Sequence, residues 1–197
     1  MAKITKNNPY GLTATQRKKI VEIAKDVLLQ IKHSDVYTGS GYLSINENDM
    51  QNLKGSWQEY FSKPKNLKKC TICAKGALFI SKIRLYNKFS LDMKKLGNKC
   101  VDYENHNIRK EVCDLSSSQD LYTAGDLEKI FPEELWDKIE EVFENSEYFN
   151  ETRKMREDKN ILKYICNNLI KNNGDLVVTV HEYHQSIISG RWSEIGW

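Results

Sequence analysis

Apolar residues recur at helical spacing along much of this chain, and the pattern predicts a mainly α-helical fold. After an irregular lead-in over residues 1–12, a helix is expected from Thr13, where Thr13 and Gln16 are spaced as a capping box. The apolar positions that follow are three or four apart: Ile20, Ile23, Ala24, Val27, Leu28 and Ile31. Such a stripe is more typical of a core-facing side than of a groove for a partner.

Residues 70–87 are apolar in almost every direction when they are placed on a helical wheel. The polar exceptions are one narrow arc that includes Lys75 and Lys82, together with Ser81 and Arg84. A helix that is apolar nearly all round is covered by other elements. We therefore predict that this segment is a central buried helix, with the pair Cys70 and Cys73 at its start.

Two further helices and a short strand are predicted in the second half of the chain. One helix follows Pro132 and buries Leu135, Trp136, Ile139, Val142 and Phe143. The next helix is expected to end at Gly174 in a left-handed cap, and residues 176–180 have strand character. The sequence therefore predicts one helical domain over residues 1–197 with a minor β component. A linker-like serine run makes residues 115–119 a candidate subdivision.

Composition agrees with a packed globule, since 40% of the 197 residues are hydrophobic. No apolar run is long enough to span a bilayer, and the first residues lack the apolar segment of a secretory signal. A cytoplasmic location and no membrane association are therefore expected. The five cysteines are an odd number, so reduced thiols or metal ligands are expected rather than a set of disulfides.

Charge is divided unevenly along the chain, although the formal net charge is only +3. Residues 52–110 hold fourteen basic against four acidic side chains, whereas residues 115–151 hold two basic against eleven acidic ones. These regions could be ordinary solvated faces or could attract each other. They could also form a basic surface for phosphates and an acidic surface for a basic protein partner.

A structural zinc site is one hypothesis for the cysteines. Cys70 and Cys73 are spaced so that one helical turn could turn both thiolates toward an ion, and Cys100 and Cys113 could complete four ligands. The spacing is irregular because a second Cys-x-x-Cys pair is missing. The competing interpretation is that these cysteines fill a buried helix as small apolar side chains.

Thiol oxidoreductase activity is a further alternative. It would need Cys70 at an accessible helix start, where the helix dipole and nearby lysines lower its pKa. The βαβ pattern that usually accompanies such a pair is absent from the sequence.

Direct binding of nucleic acid is the main alternative to a protein-binding function. Lysines that could contact phosphates cluster on either side of the central helix: Lys63, Lys65, Lys68, Lys69, Lys94, Lys95 and Lys99. The pattern fits no nucleic-acid reader module. In this alternative, a zinc ion would stabilise the fold and the lysines would bind the nucleic acid.

Several motifs together resemble a group of small proteins that tailed bacteriophages and prophages encode. The first is Lys69 to Phe79, which resembles a Cys-x-x-Cys-Ala-x-Gly-Ala-Leu signature, and its companions lie within residues 127–144 and 155–175. The resemblance covers roughly residues 65–180 and brings no catalytic residues with it. It implies a phage protein that acts on the bacterial host, for example by blocking a defence nuclease such as a CRISPR effector.

The resemblance and the charge pattern together favour a non-catalytic binding protein that inhibits or redirects a host protein. Its acidic helix, residues 133–144, could compete for a basic nucleic-acid channel on that target. The carboxylates expected to contact the partner are Glu134, Glu140 and Glu141. Reversing these three charges is expected to abolish inhibition and to leave the fold intact.

Overall fold

A computed structural model of the chain describes residues 2–36, 43–45, 57–86, 127–144 and 155–177. Its helices are α1 (Ala14–Gln30), α2 (Trp57–Phe61), α3 (Pro64–Leu67), α4 (Ala74–Tyr86), α5 (Glu133–Glu144) and α6 (Met155–Lys171). A 3-10 turn covers Leu127–Lys129, and the strands are β1 (Asp35–Val36), β2 (Leu43–Ile45) and β3 (Cys70–Ile72). The fold is mainly helical with a small sheet, as the sequence predicts.

Helix α1 begins and packs as its sequence predicts. The Thr13 hydroxyl accepts from the Gln16 backbone N–H, and the Gln16 side chain accepts from the Thr13 N–H, so the capping box is complete. The apolar stripe from Ile20 to Ile31 is buried apart from Leu28, which is half-buried and packs on the same core. This face packs against α4 and α6.

Strand β3 is the first correction to the sequence-based prediction, because Cys70–Ile72 is not helical. It lies between the other two strands, parallel to β1 and antiparallel to β2. Cys70 and Ile72 point into the core while Thr71 is exposed, which is the alternation of a strand with one covered face. The predicted strand at residues 176–180 is not seen in Leu176 and Val177, and residues 178–180 lie outside the described part.

Helix α4 is the central element, as predicted, but it begins at Ala74. Ten consecutive residues, 74–83, are buried, and α1, α2, α5 and β3 all contact the helix. Two of those residues are lysines, Lys75 and Lys82. A buried lysine requires a polar or charged environment, because removing an ammonium group from water is costly.

A buried polar network joins α1 to α4 within this core. The Ser81 hydroxyl donates to Asp26 Oδ2 at 2.8 Å and accepts a hydrogen bond from the Gln30 amide. Arg84 Nε lies 3.0 Å from the Asp26 carboxylate. Ser81 and Arg84 are the two polar residues that lie outside the narrow lysine-containing arc of the wheel, and the network explains both.

Helices α5 and α6 complete the core of the described residues. The predicted apolar side of α5 is buried, and α5 packs against both α4 and α6. No helix in the described ranges is long and apolar enough to cross a bilayer. The candidate subdivision at 115–119 lies outside the described residues.

Gly174 ends α6 in the left-handed region with φ +94°, as the sequence predicts. A Cβ atom at this position would lie 3.2 Å from the Arg17 Cα, so the backbone conformation and the close approach both favour glycine. We expect Gly174→Ala to lower the free energy of unfolding by about 1–2 kcal/mol, measured by urea denaturation.

The matched control for Gly174→Ala is Asn173→Gly, because Asn173 also has a positive φ, of 51°. Glycine relieves the backbone penalty there, so this variant should be neutral or more stable by less than about 1 kcal/mol. Equal destabilisation by both substitutions would show that the left-handed cap is not the cause.

Arg17 connects the lead-in to the end of α6. Its guanidinium donates to Asp175 at 2.7 Å, to the Asn173 carbonyl at 2.9 Å and to the Asn8 side chain at 2.6 Å. The Tyr10 hydroxyl adds a hydrogen bond to the Leu176 carbonyl at 2.9 Å. One half-buried arginine thus links segments that lie more than 150 residues apart.

Candidate interaction surface

Cys70 and Cys73 do not lie on one helical turn, which corrects the geometry assumed for a zinc or redox pair. Cys70 belongs to β3 and is 1% exposed, and its thiol donates to the Asn66 carbonyl at 3.4 Å. Cys73 directly precedes α4 and is 3% exposed; its carbonyl accepts from the Ala77 N–H and its sulfur from the Gly76 N–H at 3.5 Å. Cys73 is therefore the N-cap of the central helix.

Burial controls the chemistry of the Cys73 thiol. Desolvation of the thiolate raises the pKa of Cys73 to about 12, and the negative charges of Glu144 and Glu140 act in the same direction. The backbone N–H groups of Gly76 and Lys75 oppose this shift but do not overcome it. Cys73 therefore stays a neutral thiol near pH 7, which is the opposite of what a redox nucleophile requires.

The zinc hypothesis is left without support in the described residues but stays a prediction. Within those ranges, no group of three or more Cys, His, Asp or Glu side chains is placed to hold a metal ion. The other two proposed ligands, Cys100 and Cys113, lie outside them. Among the cysteines described, Cys166 is also buried in the core, and desolvation raises its pKa.

Helix α5 has two clearly different sides. Its apolar side is buried, and the outward-facing carboxylates with the greatest exposure are Glu133, Glu134, Asp137 and Glu144. Glu133 and Glu134 occupy the first turn, where the positive end of the helix dipole favours a carboxylate. The exposed acidic face of α5 is thus built on a helix whose opposite side is fixed in the core.

Glu140, one of the predicted partner contacts, is engaged within the molecule. Its carboxylate forms an ion pair at 2.5 Å with Lys75 of α4, whose side chain is only 1% exposed. Asp137 lies 3.7 Å from the same ammonium group, and the Trp136 ring centroid lies 5.0 Å from it. Reversing Glu140 would place a second cation beside the buried ammonium group of Lys75, so we expect this reversal to destabilise the fold.

The other two predicted partner contacts differ in their surroundings. Glu141 is half-buried and pairs with Lys138 at 2.9 Å, a contact within one turn of the helix. Glu134 is exposed, and no salt bridge to it is formed by the described residues. Of the three carboxylates, Glu134 is therefore the one best placed to contact another molecule.

The predicted phosphate-binding lysines are only partly described. Lys63, Lys65, Lys68 and Lys69 are all exposed at or beside the short helix α3. Lys94, Lys95 and Lys99 lie outside the described residues. The described part of the basic candidate surface thus lies at or beside α3, and the acidic candidate surface lies on α5.

The chain was compared with known proteins at three levels. No family model, curated protein or solved structure matches it.

Proposed function

We propose that this chain is a non-catalytic binding protein of phage origin that inhibits or redirects a host protein in the bacterial cytoplasm. An anti-defence inhibitor of the anti-CRISPR type is the specific form that we favour. The proposed phage origin is based on the sequence motifs that resemble those of phage proteins. Thiol redox catalysis would need Cys70 at an accessible helix start, and Cys70 instead lies in β3 and is 1% exposed. The buried, neutral thiol of Cys73 also argues against this use of the pair.

The observation that carries this proposal is the exposed acidic face of α5. Five apolar side chains hold the helix in the core, so its carboxylates are presented from a fixed backbone. A rigid surface loses less conformational entropy on binding than a mobile one. Fixed negative charge also attracts a basic surface over long range and speeds association with it.

The partner that fits this surface is a protein with an exposed basic channel, such as one that binds nucleic acid. Occupation of that channel by α5 would exclude the nucleic acid without any chemical step. A cofactor is not needed for this action, and a structural zinc ion would serve only the fold.

The acidic face is tested by reversing two exposed charges that make no salt bridge among the described residues. We expect Glu133→Lys with Glu134→Lys to weaken capture of the host protein by at least about tenfold, because repulsion replaces attraction at the contact. The target is identified by affinity capture from host lysate after nuclease treatment, and its affinity is then measured by titration. Glu140 is unchanged in this variant, so its ion pair with Lys75 is preserved.

The control is a second double reversal with the same change in net charge, Asp35→Lys with Glu59→Lys. Both residues are exposed and lie on β1 and α2, away from α5 in sequence. It should retain binding. If both doubles lose binding equally, net charge and not α5 is responsible, and if neither loses it, the acidic face is not the contact.

A further inference from the structure

The segment from Lys63 to Lys69, here called the basic loop, presents four exposed lysines in seven residues. It consists of α3 and the turn that leads into β3. No acidic residue interrupts it. The proposed function makes no use of this concentration of positive charge.

The backbone of the basic loop is held firmly from within. Leu67, in the middle of the loop, is 1% exposed and packs in the core. The Asn66 side chain donates to the Tyr60 carbonyl at 2.9 Å, and the Asn66 carbonyl accepts from the Lys69 N–H at 3.0 Å and from the Cys70 thiol. The burial of Leu67 and the hydrogen bonds of Asn66 therefore fix the middle of the loop, while its lysines are exposed to solvent.

We propose that the basic loop binds the phosphate backbone of a nucleic acid without reading its sequence. A lysine ammonium is a compact point charge that suits phosphate oxygens from many directions. The loop has no arginine, so it lacks the rigid bidentate fork that reads a particular base, which agrees with binding that is independent of sequence. Neutralising several phosphates releases condensed counterions, which drives binding at low salt. The binding rests on α3 and is independent of the role proposed for α5.

The surroundings of the loop favour nucleic acid over a lipid surface. Polybasic segments that hold a membrane stably work together with an inserted apolar group or a lipid chain. The large apolar side chains that are exposed in the described residues are Ile4, Leu29, Leu85 and Val177. None of them belongs to the basic loop, where Leu67 is buried.

The test is a titration of the full chain with labelled single-stranded RNA, single-stranded DNA and duplex DNA between about 50 and 200 mM NaCl. Four phosphate contacts predict a slope of log K against log salt of about −2.8 for a single strand and about −3.6 for a duplex. Anionic vesicles of phosphatidylcholine and phosphatidylserine form a separate arm.

The variant replaces all four loop lysines with glutamine, which keeps the length of each side chain and removes its charge. We expect affinity at low salt to fall at least about tenfold and the salt slope to approach zero. The control replaces four other exposed lysines with glutamine, so it has the same net charge as the loop variant; they are Lys3, Lys18, Lys25 and Lys32. It should keep the affinity and slope of the unaltered chain. Thermal unfolding confirms that both variants are folded.

Binding of any of the three nucleic acids that is lost in the loop variant and kept in the control supports the proposal. Equal losses in the two variants would assign the effect to net charge and overturn it. Binding to the vesicles alone, or to no probe at low salt, would overturn it as well.

Discussion

Replacing Glu140 with alanine should lower the free energy of unfolding by about 3 kcal/mol, although the residue lies near the surface. The reason is Lys75, which is buried and would lose the carboxylate that lies 2.5 Å from its ammonium group. Removing one member of a buried ion pair costs about 3–5 kcal/mol, and we expect the lower end because the Glu140 side chain is 31% exposed. For a chain of this size, this corresponds to a fall in Tm of about 6–12 °C.

Two further variants identify the buried charge as the cause. Glu141→Ala removes a carboxylate from the neighbouring surface pair with Lys138 and should cost less than about 1 kcal/mol. Lys75→Met combined with Glu140→Leu removes both charges while filling the space, and it should recover most of the lost stability. If the double variant is as unstable as Glu140→Ala, the unpaired charge on Lys75 is not the cause of the lost stability.

Cys73 should react with iodoacetamide at least about 1,000-fold more slowly than an ordinary thiol at pH 8. With a pKa of about 12, about one molecule in 10,000 carries a thiolate at that pH, compared with about one quarter for an unperturbed cysteine. Because Cys73 is only 3% exposed, the reagent also has little access to the thiol, which slows the reaction further. The rate should rise about tenfold per pH unit while the protein stays folded.

Peptide mapping by mass spectrometry measures this labelling at each cysteine separately. All five cysteines should be labelled after unfolding in guanidinium chloride, which controls for the intrinsic reactivity of each peptide. Fast labelling of Cys73 in the folded protein would contradict the buried neutral thiol. It would also return the thiol oxidoreductase hypothesis to consideration.

The helices could be predicted from the sequence because their signals are local. Thr13 and Gln16 are three residues apart, and the buried faces of α1 and α5 are patterns within a few turns. Strand β3 could not be predicted in the same way. Its three residues form an apolar run too short to distinguish helix from strand, and its partners β1 and β2 lie 25 or more residues earlier in the chain.

For the candidate surface as well, features set by neighbouring residues could be predicted from the sequence, and contacts between distant residues could not. The exposure of Glu134 follows from its place opposite the apolar side of α5, so it could be predicted. The pairing of Glu140 could not, because Lys75 is 65 residues away in sequence. The sequence did contain a signal, since a lysine on a helix that is otherwise buried requires an opposite charge, but it could not identify which carboxylate supplies it.

The bridge that Arg17 forms has a consequence for how the chain acquires its structure during synthesis. Helix α1 packs against α6, and Arg17 pairs with Asp175, 158 residues later in the sequence. Contacts of such long range form late, because the loop between them must close before they contribute any stability. A nascent chain emerges N-terminus first, so the part of the α1 face that α6 covers stays exposed until α6 has left the ribosome. Helix α1 is therefore made before α6 but completes its packing only after α6 has emerged.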